Sequence, residues 1–213
     1  MVIQQVIKGL SNLTDQDVDY IFHMGIICNW WRTQGHLPQN EVPDRLTEQN
    51  LDWHQNSFAK PDPSQGNAPF YKNTPFISTT AGTVERDTVN RTNMLTPAWK
   101  SALYFATDRW TTDGWLLYCH LFLIGKRSVS MEAFSEELRE LNIYTNFSPF
   151  YLEGEITAKL VIPTAQIERA DFWDLSAAKA AIAAGSLPAP SKTLPNSYYV
   201  KPEKYNNLRE LLA

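Results

Sequence analysis

Glu153 and Glu155 are two residues apart in Glu-Gly-Glu-Ile-Thr-Ala-Lys-Leu-Val-Ile, a stretch that reads as a strand over 153–162 ended by Pro163. Side chains at i and i+2 of a strand point to one face, so the two carboxylates project together. Close like charges raise the pKa of one partner or hold something cationic between them. Cleavage of a sugar's bond to a good leaving group passes through an oxocarbenium-like ion. One carboxylate beneath that ring stabilises the developing charge, and a second orients or deprotonates the incoming nucleophile. The plainer alternative is a pair of exposed charges that deters pairing at a sheet edge.

Three other features carry chemistry-bearing groups. Ser78-Thr79-Thr80 ends a strand opened by Pro75-Phe-Ile, where the hydroxyls either serve a site or simply suit a strand. His23 sits in Tyr-Ile-Phe-His-Met-Gly and reads as a strand residue, catalytic or packed in the core. Arg32 follows nine residues on, in a short helix over 26–34 stopped by Gly35, and is either functional or a solvated helix residue. Other chemistries lack their residues. There is no Gly-x-Gly-x-x-Gly, no phosphate loop ending in Lys-Ser/Thr, no His-Glu-x-x-His, no Cys-x-x-Cys and no Gly-x-Ser-x-Gly. Dinucleotide-fold, P-loop, dedicated metal and serine-hydrolase readings therefore fall away, and no metal is expected.

The elements that must position these groups alternate irregularly. Residues 12–19 are polar; 20–25 alternate as a strand; 36–74, rich in Pro, Asn, Gln and Asp, read as a long irregular excursion of the kind that is often functional. Thr96-Pro97 opens a helix whose Trp99, Leu103 and Ala106 recur at helical spacing. Asp113-Gly114 marks a turn into a long buried strand, 115–124. A short helix is expected over 132–141, a loop over 142–152 and a helix over 176–184, followed by a linker-like Pro-rich piece. Mostly strands with helices between some of them is an α+β plan.

The length, 213 residues, suits one domain with a tail. Lys+Arg 19 against Asp+Glu 23 gives −4, which argues mildly against a phosphate-backbone binder. Cys28 and Cys119 lie in apolar surroundings and read as buried free thiols. The N-terminus lacks the layout of a secretory signal, and no apolar run is long enough to span a bilayer. The expectation is a soluble chain with no membrane partner, cytoplasmic or exported as an effector without a recognisable signal.

Taken in order, an aromatic-rich strand, Phe-Ile-Ser-Thr-Thr, a helix, a long apolar strand and Glu-x-Glu followed by Ile162-Pro163 and Ile167 resemble the mono-ADP-ribosyltransferase toxins of the cholera and pertussis kind. The resemblance spans roughly residues 18–174 and is concentrated at 75–80 and 151–169. It implies an ADP-ribosyltransferase-like split β-sandwich of two packed sheets with flanking helices. Residues 1–175 would form the catalytic domain and 176–213 a linker and appendage.

It further implies NAD as co-substrate, bound between the sheets, with nicotinamide released and ADP-ribose passed to an acceptor. Glu155 would be the catalytic glutamate at the ribose next to nicotinamide, Glu153 would activate or select the acceptor, and Ser78 would hold Glu155 and that ribose. Thr79 and Thr80 would support the NAD-binding strand. Tyr144, Phe147, Phe150 and Tyr151 would recognise the acceptor, or else pack in the core. The family's first-strand arginine is replaced here by His23, the residue type that the diphtheria-toxin and polymerase branch uses to hold NAD. Arg32 is the second candidate for that role, and a guanidinium suits phosphate better than an imidazole does. Arginine on a target protein is the first expectation for the acceptor. A nucleic-acid base, or water in an NAD glycohydrolase, is the alternative, and a non-catalytic binding module on the same fold is the reading from a different class.

Overall fold

Strand β1 (Val2–Ser11) and strand β8 (Gly114–Leu123) run antiparallel along their full lengths, from Val2 opposite Leu123 to Ser11 opposite Gly114. They are the centre of a six-stranded sheet. The computed structural model describes residues 2–81, 83–86, 93–96, 98–123 and 155–202. Within these, β11 (Ile167–Trp173) and β12 (Lys192–Pro195) extend the sheet beyond β8, and β5 (Phe76–Thr80) and β9 (Glu155–Lys159) extend it beyond β1. Every pairing in this order, β12-β11-β8-β1-β5-β9, is antiparallel. Three two-stranded ribbons complete the strands: β2 (Ile26–Ile27) with β10 (Val161–Ile162), β3 (Pro61–Asp62) with β4 (Ala68–Pro69), and β6 (Thr83–Arg86) with β7 (Asn93–Thr96).

Side-chain alternation gives the central strands two buried faces. Val6, Trp115, Leu117, Cys119 and Leu121 point to one. There they meet Val18 and Phe22 of α1 (Asp15–Met24), Trp30 of α2 (Asn29–Gln34) and the β2–β10 ribbon. Ile7, Leu116 and Tyr118 point to the other and are covered by α5 (Ala98–Ala106) and α6 (Leu175–Ala184) through Ala102, Leu103, Ala106, Ala178 and Ala181. The expected α+β plan is the observed one. Among the described residues the other sheets are the three two-stranded ribbons, of which β2–β10 packs on the large sheet. Both cysteines are free and buried; burial pushes the Cys28 thiol up to about 11.

Three sequence expectations are corrected. Residues 20–24 are helical, not a strand. Thr14 accepts a hydrogen bond from the Asp17 amide while the Asp17 carboxylate accepts one from the Thr14 amide, a capping box that starts α1 and outweighs the alternation of Tyr20, Phe22 and Met24. The 36–74 excursion is not structureless: it holds α3 (Val42–Arg45), α4 (Glu48–Asn56) and the β3–β4 ribbon. The strand expected over 153–162 is described from Glu155, and it breaks at Leu160, whose φ of 60° carries the chain out of the large sheet to pair with β2. The expected helix at 132–141 and loop at 142–152 fall outside the described residues.

The Ala-rich piece after 175 is part of this framework, since α6 and β12 cover and edge the large sheet. Asp174 ties them together. Its carboxylate accepts from the Ala177 amide, capping α6, and from the hydroxyls of Ser176 and Ser191. These donors, Ser176 and Ser191 foremost, hold its pKa at about 2, below the ordinary 3.8. A depressed carboxylate contributes stability that is complete above its unfolded value and is lost as pH falls through the folded one. Asp174→Ala is therefore expected to lower the urea midpoint at neutral pH, and to leave it close to wild type once the pH is below 2. Equal destabilisation at both pH values would count against this role.

Candidate active site

β5 and β9 are neighbours, with Ser78 opposite Thr157 and Thr80 opposite Glu155. Ser78, Thr80, Glu155 and Thr157 thus share one face of the sheet edge. Thr79 points the other way, and its hydroxyl donates to the Ile156 carbonyl at 2.6 Å, locking β5 to β9. Helix α4 lies over the shared face. Thr47 caps its start, Leu51 packs with Phe76 in a small core, and one turn later His54 and Gln55 reach the strands.

His54 is the hub. Its Nε2 lies 2.9 Å from the Ser78 hydroxyl and 3.5 Å from the Glu155 Oε1, and its Nδ1 lies 2.9 Å from the Thr74 hydroxyl. A bare lone pair on Nε2 would face the carboxylate, so the network assigns a proton to Nε2. The Thr74 oxygen, which accepts from the Phe76 amide, can then direct its own proton to Nδ1. His54 is 1% exposed in its side chain and Glu155 14%. Burial alone would raise the Glu155 pKa. The hydrogen bond of His54, with donors from Ser78 and Gln55, more than offsets it and holds the carboxyl below its ordinary value. Glu155 is accordingly an ionised, oriented carboxylate at neutral pH.

A cavity of about 520 Å³, within the range of small-molecule sites, opens beside this cluster. Ser78 and His54 line it, together with Lys8 of β1, Arg32 of α2, Tyr20 of α1 and Phe58. Burial pulls the Lys8 pKa below that of an ordinary lysine, while Glu155 and Cys119 pull it back up. Phe58 meets the His54 ring edge-on, with centroids 5.3 Å apart, and walls that side of the cavity. Among the described residues no cluster of three His, Cys, Asp or Glu side chains is placed to hold a metal ion, and no helix is long and apolar enough to cross a membrane.

Ser78 and Arg32 therefore line one cavity; Glu155 is not in its lining and is joined to it through His54, and Thr79 and Thr80 lie in the strand that borders it. His23 is not in the lining. It stands on α1 rather than on a first strand, half exposed, with Nδ1 2.8 Å from the Asp19 carbonyl and its ring against Tyr198. The basic residue on the actual first strand is Lys8. Glu153, Tyr144, Phe147, Phe150 and Tyr151 lie outside the described residues. Two residues at the site were missed from sequence, Lys8 and His54. The first had no local signal, since Gln4, Gln5 and Lys8 break up the apolar residues of 2–10. Thr47 as a cap, followed by Leu51, His54 and Gln55 at helical spacing, was the signal for the second.

No family model matches the sequence, and no curated protein matches it. Among solved structures, the chain is similar to EcPltA at 15% identity, covering 93% of this chain and 88% of that one, with a TM-score of 0.46. It is also similar, at 15% identity and a TM-score of 0.41, to a heat-labile enterotoxin mutant described for a flexible active-site loop in its A subunit, covering 94% of this chain and 79% of that one.

Proposed function

We propose that the protein is a mono-ADP-ribosyltransferase that cleaves NAD, releases nicotinamide and transfers ADP-ribose to an acceptor, with arginine on a target protein as the first candidate. One observation carries this reading: an ionised Glu155, outside the lining itself, is tied through His54 to Ser78, which lines a cavity that also presents two basic side chains, Lys8 and Arg32. Such side chains suit the pyrophosphate of a dinucleotide. When the nicotinamide–ribose bond breaks, its electron pair passes to the pyridinium nitrogen and neutral nicotinamide departs. Positive charge then develops across the ribose anomeric carbon and ring oxygen, and the Glu155 carboxylate stabilises it. Ser78 and His54 keep that carboxylate aimed. An acceptor nitrogen forms the new bond and gives up its proton, with Glu153 as the proposed base.

The test combines two measurements. NAD at 100 times its Kd should add about 2.7 kcal/mol to stability by mass action and raise the melting temperature accordingly. Nicotinamide release should accompany an ADP-ribose mass adduct when the protein is incubated with NAD and a cell lysate. An adduct on arginine supports the protein acceptor; an adduct on a nucleic-acid base, or release with water alone, replaces it. No thermal shift at millimolar NAD with a folded protein would overturn the enzyme reading in favour of a non-catalytic binding module.

A further inference from the structure

Glu155 is held from a second side by groups that the proposed chemistry does not use. Thr157 is fully buried, two residues along β9 on the same face, and its hydroxyl lies 3.2 Å from the Glu155 Oε1. Gln55, also buried, brings its amide nitrogen to 3.0 Å from that same hydroxyl. The direction of this chain is fixed by the groups themselves. An amide NH2 only donates, so the Thr157 oxygen must accept from Gln55. The one Thr157 proton is then free for the carboxylate, which only accepts while ionised. Both this hydroxyl and the His54 ring bear on the same oxygen, Oε1. His54 and Gln55 are consecutive residues at the end of α4, so a single helical turn feeds two separate donor lines to one carboxylate.

We propose that Gln55 and Thr157 form a positioning arm that fixes the orientation of the Glu155 carboxylate and favours its ionised form. This rests on the reading of Glu155 as the catalytic glutamate for its consequence in turnover, but not for the arm itself. Buried donors aimed at a carboxylate stabilise its charged form, and the arm acts where water is too scarce to replace it. Thr157 is the sharper probe, because valine removes only the hydroxyl and keeps the shape, whereas serine keeps the hydroxyl.

Two readouts separate the arm from the function. First, the carboxyl of Glu155 is followed by 13C NMR against pH in protein labelled at glutamate carboxyls, without NAD. Thr157→Val and Gln55→Ala should each move its titration to higher pH, and Thr157→Ser should leave it at the wild-type position. Second, nicotinamide release in Thr157→Val should fall about tenfold in kcat with KM for NAD little changed, as expected for a misaligned group. Its acid limb should move up with the NMR midpoint, and Thr157→Ser should restore most of the rate. An unmoved titration in both Thr157→Val and Gln55→Ala overturns the arm. A moved titration in a protein that releases no nicotinamide leaves the arm standing and overturns the transferase reading instead.

Discussion

Glu155→Gln is expected to cut nicotinamide release by at least two to three orders of magnitude, on the order of losing one preorganised electrostatic contact at the reacting centre. The substitution keeps the side chain's length and leaves an oxygen that can still accept from Thr157 or His54. The fold should therefore persist by circular dichroism, and NAD should still raise the melting temperature. What disappears is the negative charge proposed to act on the ribose. The same argument sets a pH dependence for the wild-type enzyme. Because His54, Ser78 and Gln55 outweigh burial and hold the carboxyl down, turnover should be lost on acidification only below the ordinary glutamate value of 4.5. Nicotinamide release assayed from neutral pH downward, in wild type and variant, checks both points. An unchanged rate in Glu155→Gln ends the assignment of this carboxylate to the chemistry.

The part of this site that was legible in sequence was the part carried by strands with strong local signals. Phe76–Thr80 has β-branched and aromatic residues bounded by Pro75, and it forms a strand as read. The long apolar run after Asp113-Gly114 could only be a central strand, and β8 is buried on both faces. Their order, with Glu155 on a later strand, carried the resemblance that implied Ser78 and Glu155 on a common site.

What escaped was positioned by polar residues. α4 carries one buried leucine, and its remaining buried side chains, His54 and Gln55, look like surface residues until β5 and β9 are placed beneath them. β1 escaped because Gln4, Gln5 and Lys8 interrupt its apolar residues. Only the full-length pairing with β8 makes it a strand, and a ladder between residues more than a hundred positions apart leaves no local mark. The strand expected at 20–25 is helix α1, so His23 is a helix residue outside the lining. With α1 starting from the Thr14–Asp17 capping box, the first strand is Val2–Ser11, and its Lys8, not His23, lines the cavity.

The largest effect on stability should come from a methyl group added at Gly9 or Gly114. These residues lie in β1 and at the start of β8, beneath α5. A Cβ built on Gly9 would come within 2.1 Å of the Ala102 carbonyl oxygen and 2.8 Å of the Ala106 nitrogen, and one on Gly114 within 1.8 Å of the Ala106 carbonyl oxygen. Those are backbone atoms of a packed helix and cannot rotate aside. α5 must lift as a unit, loosening Ala102, Leu103 and Ala106, which are almost fully buried against the sheet. Overpacking of this kind costs about 3 kcal/mol, a fall in melting temperature of roughly 6–12 °C for a chain of this size. Gly35→Ala is the useful contrast. Nothing lies within 4 Å of its added Cβ, and only its left-handed φ of 72° is strained, so a cost of about 1 kcal/mol is expected. Thermal melts of Gly114→Ala and Gly9→Ala should both lie well below that of Gly35→Ala; equal midpoints would mean that α5 does not rest on these glycines. Because α5 also touches β5, the strand that carries Ser78, the Gly9 and Gly114 variants should lose nicotinamide release only as they lose their fold, whereas Glu155→Gln loses it with the fold intact.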